Sequence, residues 1–220
     1  MKSSYYKYFA ALLLFGSNGI VASNINLPSY EIVLLRLLLG SLFLITVFTV
    51  SRQRFTFYRN KHTCLYLFIS ASAMGASWML LYEAYQQVGI SIASLAYYCG
   101  PVIVMILSPF LFRETLTWPK IAGFLTVLAG MCLVNLQALD EGKTIWGLFC
   151  GLMSAFMYAL MVTANKKAKP ESGLENSLLQ LVIGSFIVVA FVSMQKNFVL
   201  SLTTIDWIPV LLLGLLNTGI

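Results

Sequence analysis

The stretch Tyr82–Gly130 reads YEAYQQVGISIASLAYYCGPVIVMILSPFLFRETLTWPKIAGFLTVLAG, and its reading decides the fold class. From Ala84 to Phe112 it runs 29 residues without a charge. Roughly 20 apolar residues cross a bilayer as a helix, so this run is long enough for one crossing. Arg113 and Glu114 then form a compact charged knot, and a second apolar run follows. In water such a stretch would aggregate; in lipid it is a hairpin of two spans. Tyr97-Tyr98-Cys99-Gly100-Pro101 sits inside the first span, where a proline removes a backbone donor and disturbs the helix.

Outward from that hairpin the same alternation of apolar run and short polar break fills the chain. Of 220 residues, 59% are hydrophobic and 10% charged, and the mean hydropathy is +0.84. Soluble domains carry about 25% charged residues, so the deficit makes this an all-α polytopic membrane protein. The charge-free intervals are Tyr8–Tyr30, Leu37–Ser51, Thr63–Tyr82, Ala84–Phe112, Ile121–Leu139, Thr144–Asn165, Asn176–Gln195 and Trp207–Ile220. They give about eight transmembrane helices, with Arg36 widening the second span and Glu83 the third. Short connections rich in Gly, Pro, Asn and Ser make neighbouring spans antiparallel. The amino-terminal run resembles a secretory signal, but its polar Gly16-Ser17-Asn18-Gly19 and the runs that follow favour a retained first span. The last interval falls below spanning length, which reads as a truncated record or half of a larger assembly.

The net charge of +6 would suggest nucleic acid if the charges were not confined to short loops. With the N-terminus inside, eleven Lys and Arg residues fall on the inner face and only Lys143 and Lys196 on the outer. That asymmetry places the amino terminus in the cytoplasm. The partners expected are therefore the lipid bilayer and a small-molecule substrate, with protons as a coupling ion and a homodimer as an assembly, and no nucleic acid. His62 follows Lys61 in a basic loop, and the four cysteines lie in or beside apolar runs without a CxxC pair. No metal site or cofactor is expected. No GxSxG, HExxH or glycine-rich phosphate loop occurs, so the chain is not read as an enzyme.

Ionisable residues inside spans are the strongest functional pointers, because a charge at mid-bilayer costs roughly 2.5–3.5 kcal/mol even on permissive scales. Glu83 reads either as a substrate-charge or proton site opening outward, or as a charge that holds helices together. Arg36 leans to the structural role, as a partner of Glu83 or a neighbour in a shared vestibule. Trp78, Tyr82 and Tyr85 are spaced to border Glu83 on one helix, and Tyr97 and Tyr98 follow in the next span. Aromatic faces beside a carboxylate suit a cationic ligand, although Tyr and Trp also gather at membrane interfaces without function. Asn18, an amide at mid-membrane, and Pro101 line a cavity or a helix contact. Gly147, Gly151 and Ala155 form a small-residue stripe for close helix packing. Thr117-Trp118-Pro119 is a helix start, which makes Glu114 a loop and cap residue. A faint similarity links Phe9–Asn24 with Phe149–Asn165, as an inverted repeat would.

Several of these places together resemble the EamA family of the drug/metabolite transporter superfamily. They are Phe15-Gly16-Ser17-Asn18, Glu31 to Arg36, Tyr82-Glu83-Ala84-Tyr85, Ala93-Ser94-Leu95 through Pro101, Arg113-Glu114-Thr115-Leu116-Thr117, and the glycines Gly123 and Gly130. The resemblance covers the chain and is strongest in its first 135 residues. It implies ten helices in two inverted five-helix repeats, the first being residues 1–139 with spans one to five. Residues 140–220 would be an incomplete second repeat with spans six to eight. It also implies a central site between the halves. The second repeat's counterparts of the proline and of the Arg-Glu-Thr-Leu-Thr signature are missing. Function is then expected to be secondary active transport of a small metabolite, such as an amino acid, across the cytoplasmic membrane of a bacterium by alternating access. Asn18, Trp78, Tyr82, Glu83, Tyr97, Tyr98 and Tyr158 would form the substrate pathway, with Arg36, Pro101 and Glu114 structural or gating. Organic cations are the second substrate class. The rival from another class is a non-transporting membrane subunit that works with a partner.

Overall fold

The computed structural model describes residues 2–113, 115, 117–135, 145–168, 172–194 and 207–219. Every regular element among them is helical. They are α1 (Lys2–Ser23), α2 (Ser29–Val50), a 3₁₀ turn (Phe57–Arg59), α3 (Lys61–Tyr97), α4 (Cys99–Phe112), α5 (Trp118–Asn135), α6 (Ile145–Ala168), α7 (Gly173–Ser193) and α8 (Trp207–Leu211). A π-helical stretch, Leu212–Leu216, and a short turn, Asn217–Gly219, extend α8. Tyr30–Val50, Lys61–Phe112, Ile145–Ala168 and Gly173–Ser193 are each long and apolar enough to cross a membrane, and Ile121–Gly130 and Trp207–Leu216 are shorter apolar helices. Phe110, Ile145 and Phe186 stand 71–85% exposed on these helices, a surface that lipid solvates and water would not.

Two boundaries differ from those that charge alone suggests. The first loop is Asn24–Pro28, so Tyr30 belongs to α2 and not to the end of the first span, while Glu31 opens α2 as expected. The third span does not stop at Tyr82. Helix α3 carries Glu83 onward and breaks at Gly89, whose φ of 81° and ψ of 163° are open to glycine and strained for other residues. At Tyr98 the backbone stays in the α region (φ −69°, ψ −5°) with its N–H on Ser94 O at 2.9 Å, so the break in Lys61–Phe112 is at Gly89 and not at Glu83. Pro101 then occupies the first turn of α4, where its missing N–H is not needed. The sequence reading expects Pro101 to free a carbonyl near Tyr97, and α3 gives way to α4 at Tyr98.

Helix ends follow from local chemistry. α2 and α4 are both followed by an arginine with positive φ, Arg52 (50°) and Arg113 (55°), and Arg113 N–H bonds Pro109 O at 3.1 Å. A positive charge there opposes the negative end of the helix dipole. At the start of α5, Ile121 N–H bonds Thr117 O at 3.2 Å, with Pro119 in the first turn, as the sequence suggests. His62 lies in the first turn of α3, exposed and with its ring 4.5 Å from Tyr66, and so belongs to a helix and not to a loop.

The chain divides into two compact units. Unit 1 comprises Met1–Lys61 and Pro170–Ile220, and so contains α1, α2, α7 and α8. α2 and α7 meet at Ser41 and Ser185, whose hydroxyls lie 3.1 Å apart. Gly40 permits the approach: a Cβ there would sit 2.7 Å from Thr218 Cγ2 and 3.2 Å from Leu181. Unit 2 is His62–Lys169, containing α3 to α6. Its centre is Ala84, Val88, Ile92, Ala93 and Cys150, with Leu80 and Tyr85 against them. The small stripe of α6 straddles the break in α3. A Cβ on Gly147 would meet Val88 Cγ1 at 2.5 Å, before the break, and one on Gly151 would meet Ala96 Cβ at 2.8 Å, after it.

Candidate functional site

Unit 2 gathers most of the pathway residues expected from sequence. Glu83 is half-buried on α3, and its Oε1 accepts a hydrogen bond from Gln87 Nε2 at 3.0 Å, one turn along the same helix. It lies six positions before Gly89, about 9 Å of helix. Tyr82 is buried, with its ring centroid 5.3 Å from that of Tyr85. Across the break, Tyr97 is buried and makes edge contacts with Tyr98 at 6.2 Å and with Tyr158 of α6 at 5.3 Å. Gly100 lets α4 come against that last ring, since a Cβ would lie 2.7 Å from Tyr158 Cδ1 and 3.1 Å from Ala155 O. Trp78 and Pro101 are half-buried in the same unit. The two aromatic groups thus stand on either side of Gly89 in the chain, with the carboxylate–amide pair on the first.

Below them α3 and α6 are tied by a reciprocal bond. Ser77 Oγ donates to Ser154 O at 2.9 Å and Ser154 Oγ donates to Ser77 O at 2.7 Å, both residues being almost fully buried. Farther along, Ser70 Oγ donates to Met161 O at 2.9 Å and Thr63 Oγ1 to Ala168 O at 3.0 Å. At the end of α6, Lys166 Nζ lies 4.2 Å over the Phe112 ring and Lys167 Nζ 5.9 Å over Tyr66. These polar contacts fix the two helices where apolar packing alone would let them slide.

In unit 1, Arg36 is 3% exposed and its Nε donates to Thr218 Oγ1 at 3.1 Å. Thr218 in turn donates to Leu213 O at 2.8 Å, across the widened π-helical turn. Asn217 Nδ2 donates to Leu14 O (2.9 Å) and Ser17 Oγ (3.0 Å) on α1. Asn18, next to Ser17, is 9% exposed. Arg36 therefore has a hydroxyl partner within its own unit, which its sequence context does not reveal. Glu114 lies outside the described residues. Sequence reading overlooks Gln87, although a polar residue one turn after an intramembrane Glu is a usable signal. It also overlooks Asn217 and Thr218, whose partners lie 200 and 182 positions away.

Several apolar helices of spanning length, carrying buried charged and amide side chains, define a multi-pass membrane protein. Residues 3–136 match the EamA-like transporter family. That match covers more than half of the chain, and the protein belongs to this family of membrane transporters. It is similar to the uncharacterized transporter YxxF of Bacillus subtilis (strain 168), at 26% identity over 221 residues, covering 97% of this chain and 69% of that protein. A crystal structure shares the fold with a TM-score of 0.73 at 18% identity, over 96% of this chain and 74% of the other.

Proposed function

We propose that the protein is a secondary active transporter that moves a small metabolite, such as an amino acid, across a bacterial cytoplasmic membrane by alternating access. The observation that carries this reading is Glu83, a half-buried carboxylate that accepts a bond from Gln87 within a membrane-spanning stretch, six residues before a glycine break. Keeping a carboxylate at such a position costs stability, and a break in the same helix supplies the kind of irregular backbone that transporters use around a binding site. Glu83 is the candidate proton-coupling group. The amino terminus faces the cytoplasm, a reading supported by the eleven-to-two distribution of Lys and Arg. The test is uptake of radiolabelled amino acids into proteoliposomes with and without an imposed pH gradient. Glu83→Gln is expected to abolish gradient-driven uptake. Unchanged uptake with unchanged pH dependence would remove Glu83 from the mechanism.

One observation favours a second substrate class. Tyr82 and Tyr85 pair beside Glu83, and aromatic faces next to a carboxylate attract quaternary or protonated amines. Competition by choline-like compounds, and none by amino acids, would put organic cations first.

A further inference from the structure

Three helix ends meet at one end of unit 2. Thr63, in the first turn of α3, donates to Ala168 O at the end of α6 (3.0 Å), and Lys166 Nζ lies 4.2 Å over the ring of Phe112, the last residue of α4. That contact brings together two consecutive pairs, Phe112-Arg113 and Lys166-Lys167. Lys167 Nζ lies 5.9 Å over the Tyr66 ring, which is also 4.5 Å from the ring of His62. Arg113, Lys166 and His62 are exposed, and Lys167 is half-buried. Along the sequence, residues 112–120 and 166–169 hold five Lys and Arg against one acid, Glu114. Beside these cations the surface turns apolar at once. Phe110, two residues before Phe112, is 82% exposed, and Leu65, next to Tyr66, is 58% exposed.

We propose that this cluster binds the phosphate headgroup of an anionic phospholipid, with Arg113 and Lys167 as the main donors and Phe110 and Leu65 against the acyl chains. The guanidinium fork of Arg113 matches two phosphate oxygens, and Lys167 adds a point charge steadied over the Tyr66 face. Basic pockets between helices at the membrane border suit lipid headgroups for this reason. Charge and the apolar flank together select the partner. A soluble anion or an acidic peptide would answer the cations and leave the flank uncovered. A zwitterionic lipid would cover the flank and bring an ammonium among like charges. An anionic lipid meets both demands. Cations in a last turn also offset the negative end of a helix dipole, so the test must separate that role from lipid binding. The inference needs only a membrane protein and is independent of what the protein transports.

Thermal unfolding in a neutral detergent, titrated with phosphatidylglycerol, phosphatidylcholine or soluble glycerol phosphate, tests it. Phosphatidylglycerol is expected to raise the unfolding temperature saturably, and the other two to have little effect. Lys167→Gln and Arg113→Gln should each weaken phosphatidylglycerol by about fivefold, and Lys167→Arg should preserve its binding. Arg54→Gln removes an equal charge from the exposed α2–α3 connection and should change nothing. An equal loss in Arg54→Gln would overturn the proposal in favour of diffuse attraction between basic loops and anionic lipid. Equal stabilisation by glycerol phosphate would make it a soluble-anion site, and equal stabilisation by phosphatidylcholine would leave no headgroup selection. Unchanged phosphatidylglycerol affinity in Lys167→Gln, with a lower starting stability, would mean that the lysine serves only the helix end. If the variants do not fold, native mass spectrometry of the wild type decides. Retention of phosphatidylglycerol over phosphatidylcholine from an equimolar mixture supports the site, and equal retention overturns it.

Discussion

The hydroxyls of Ser41 and Ser185 meet at 3.1 Å, and the two residues are 144 positions apart. The same interval pairs Glu31 with Glu175, each the third residue of its helix and each buried, and pairs Arg36 with Gln180 and Gly40 with Gly184. The helices run antiparallel, because Thr56 and Phe57, just beyond the end of α2, bond Glu175 in the first turn of α7. Two antiparallel helices that meet at equivalent residues have a local two-fold axis at the contact, as an inverted duplication would produce. A Ser41→Cys/Ser185→Cys pair, in a background without other cysteines, is expected to form a disulfide under mild oxidation of membranes. Cysteines that stay separately alkylatable would place the helices in a different register.

Gly89 and Gly123 should respond oppositely to alanine. At Gly89 the φ of 81° is hostile to a Cβ, so Gly89→Ala is expected to cost about 1–3 kcal/mol. At Gly123, within α5, nothing lies within 4 Å of a new Cβ. Alanine there should be neutral or stabilise by up to about 1 kcal/mol through helix propensity. Thermal unfolding in detergent reads both, and a Gly89→Ala protein as stable as the wild type would mean that α3 is not broken there.

The reciprocal Ser77–Ser154 contact invites a double-mutant cycle. In membranes such interhelical bonds average about 0.6 kcal/mol and reach roughly 1.7. Each of these serines gives its hydroxyl to the other's backbone, so the pair should fall in the upper half of that range. Each alanine variant removes one hydroxyl and leaves the other's backbone acceptor in place, so each is expected to lose one of the two bonds and the double variant close to the sum. A double variant that loses little more than either single one would show that the 3.2 Å contact between the two hydroxyls carries the stability instead.

How much of this was legible in the sequence depends on how local the cause is. Arg36, Glu83 and Asn18 stand out because polar groups are rare within apolar runs, and the Gly147–Gly151–Ala155 stripe is written in consecutive turns of one helix. The break between the third and fourth spans falls at Gly89 and not beside Glu83, where charge alone puts it. A carboxylate with a glutamine one turn away can remain inside a helix, and the φ of Gly89 leaves no mark on composition. The partners of Arg36 and of α1 at Thr218 and Asn217 depend on contacts about 180 to 200 residues apart, which no window of sequence contains. In the sequence alone the interval of 144 shows only as the faint likeness between Phe9–Asn24 and Phe149–Asn165, slightly out of register, because lipid-facing positions accept almost any apolar residue.

Glu175 supplies the last prediction. Its Oε1 accepts from Thr56 N–H at 2.6 Å and Phe57 N–H at 2.9 Å, and its Oε2 accepts from the Thr56 hydroxyl at 2.6 Å. Ser172 caps the same helix end, and its hydroxyl donates to Gln53 Oε1 at 3.1 Å. The α2–α3 connection is therefore fastened to the start of α7 by one carboxylate. Glu175→Gln keeps an acceptor for the two amides and a donor for a hydroxyl that can reverse its role, so only the charge assistance is lost, about 1 kcal/mol. Glu175→Ala leaves two backbone N–H groups without their partner and should cost about 2–4 kcal/mol. Limited proteolysis of the Gln53–Arg59 segment, read beside thermal stability, should rank alanine well above glutamine and glutamine slightly above the wild type. Equal protease sensitivity in all three would mean that this segment is held by its aromatic contacts, Phe48 on Phe55 at 4.6 Å and Phe55 on Phe57 at 6.0 Å, and not by the carboxylate.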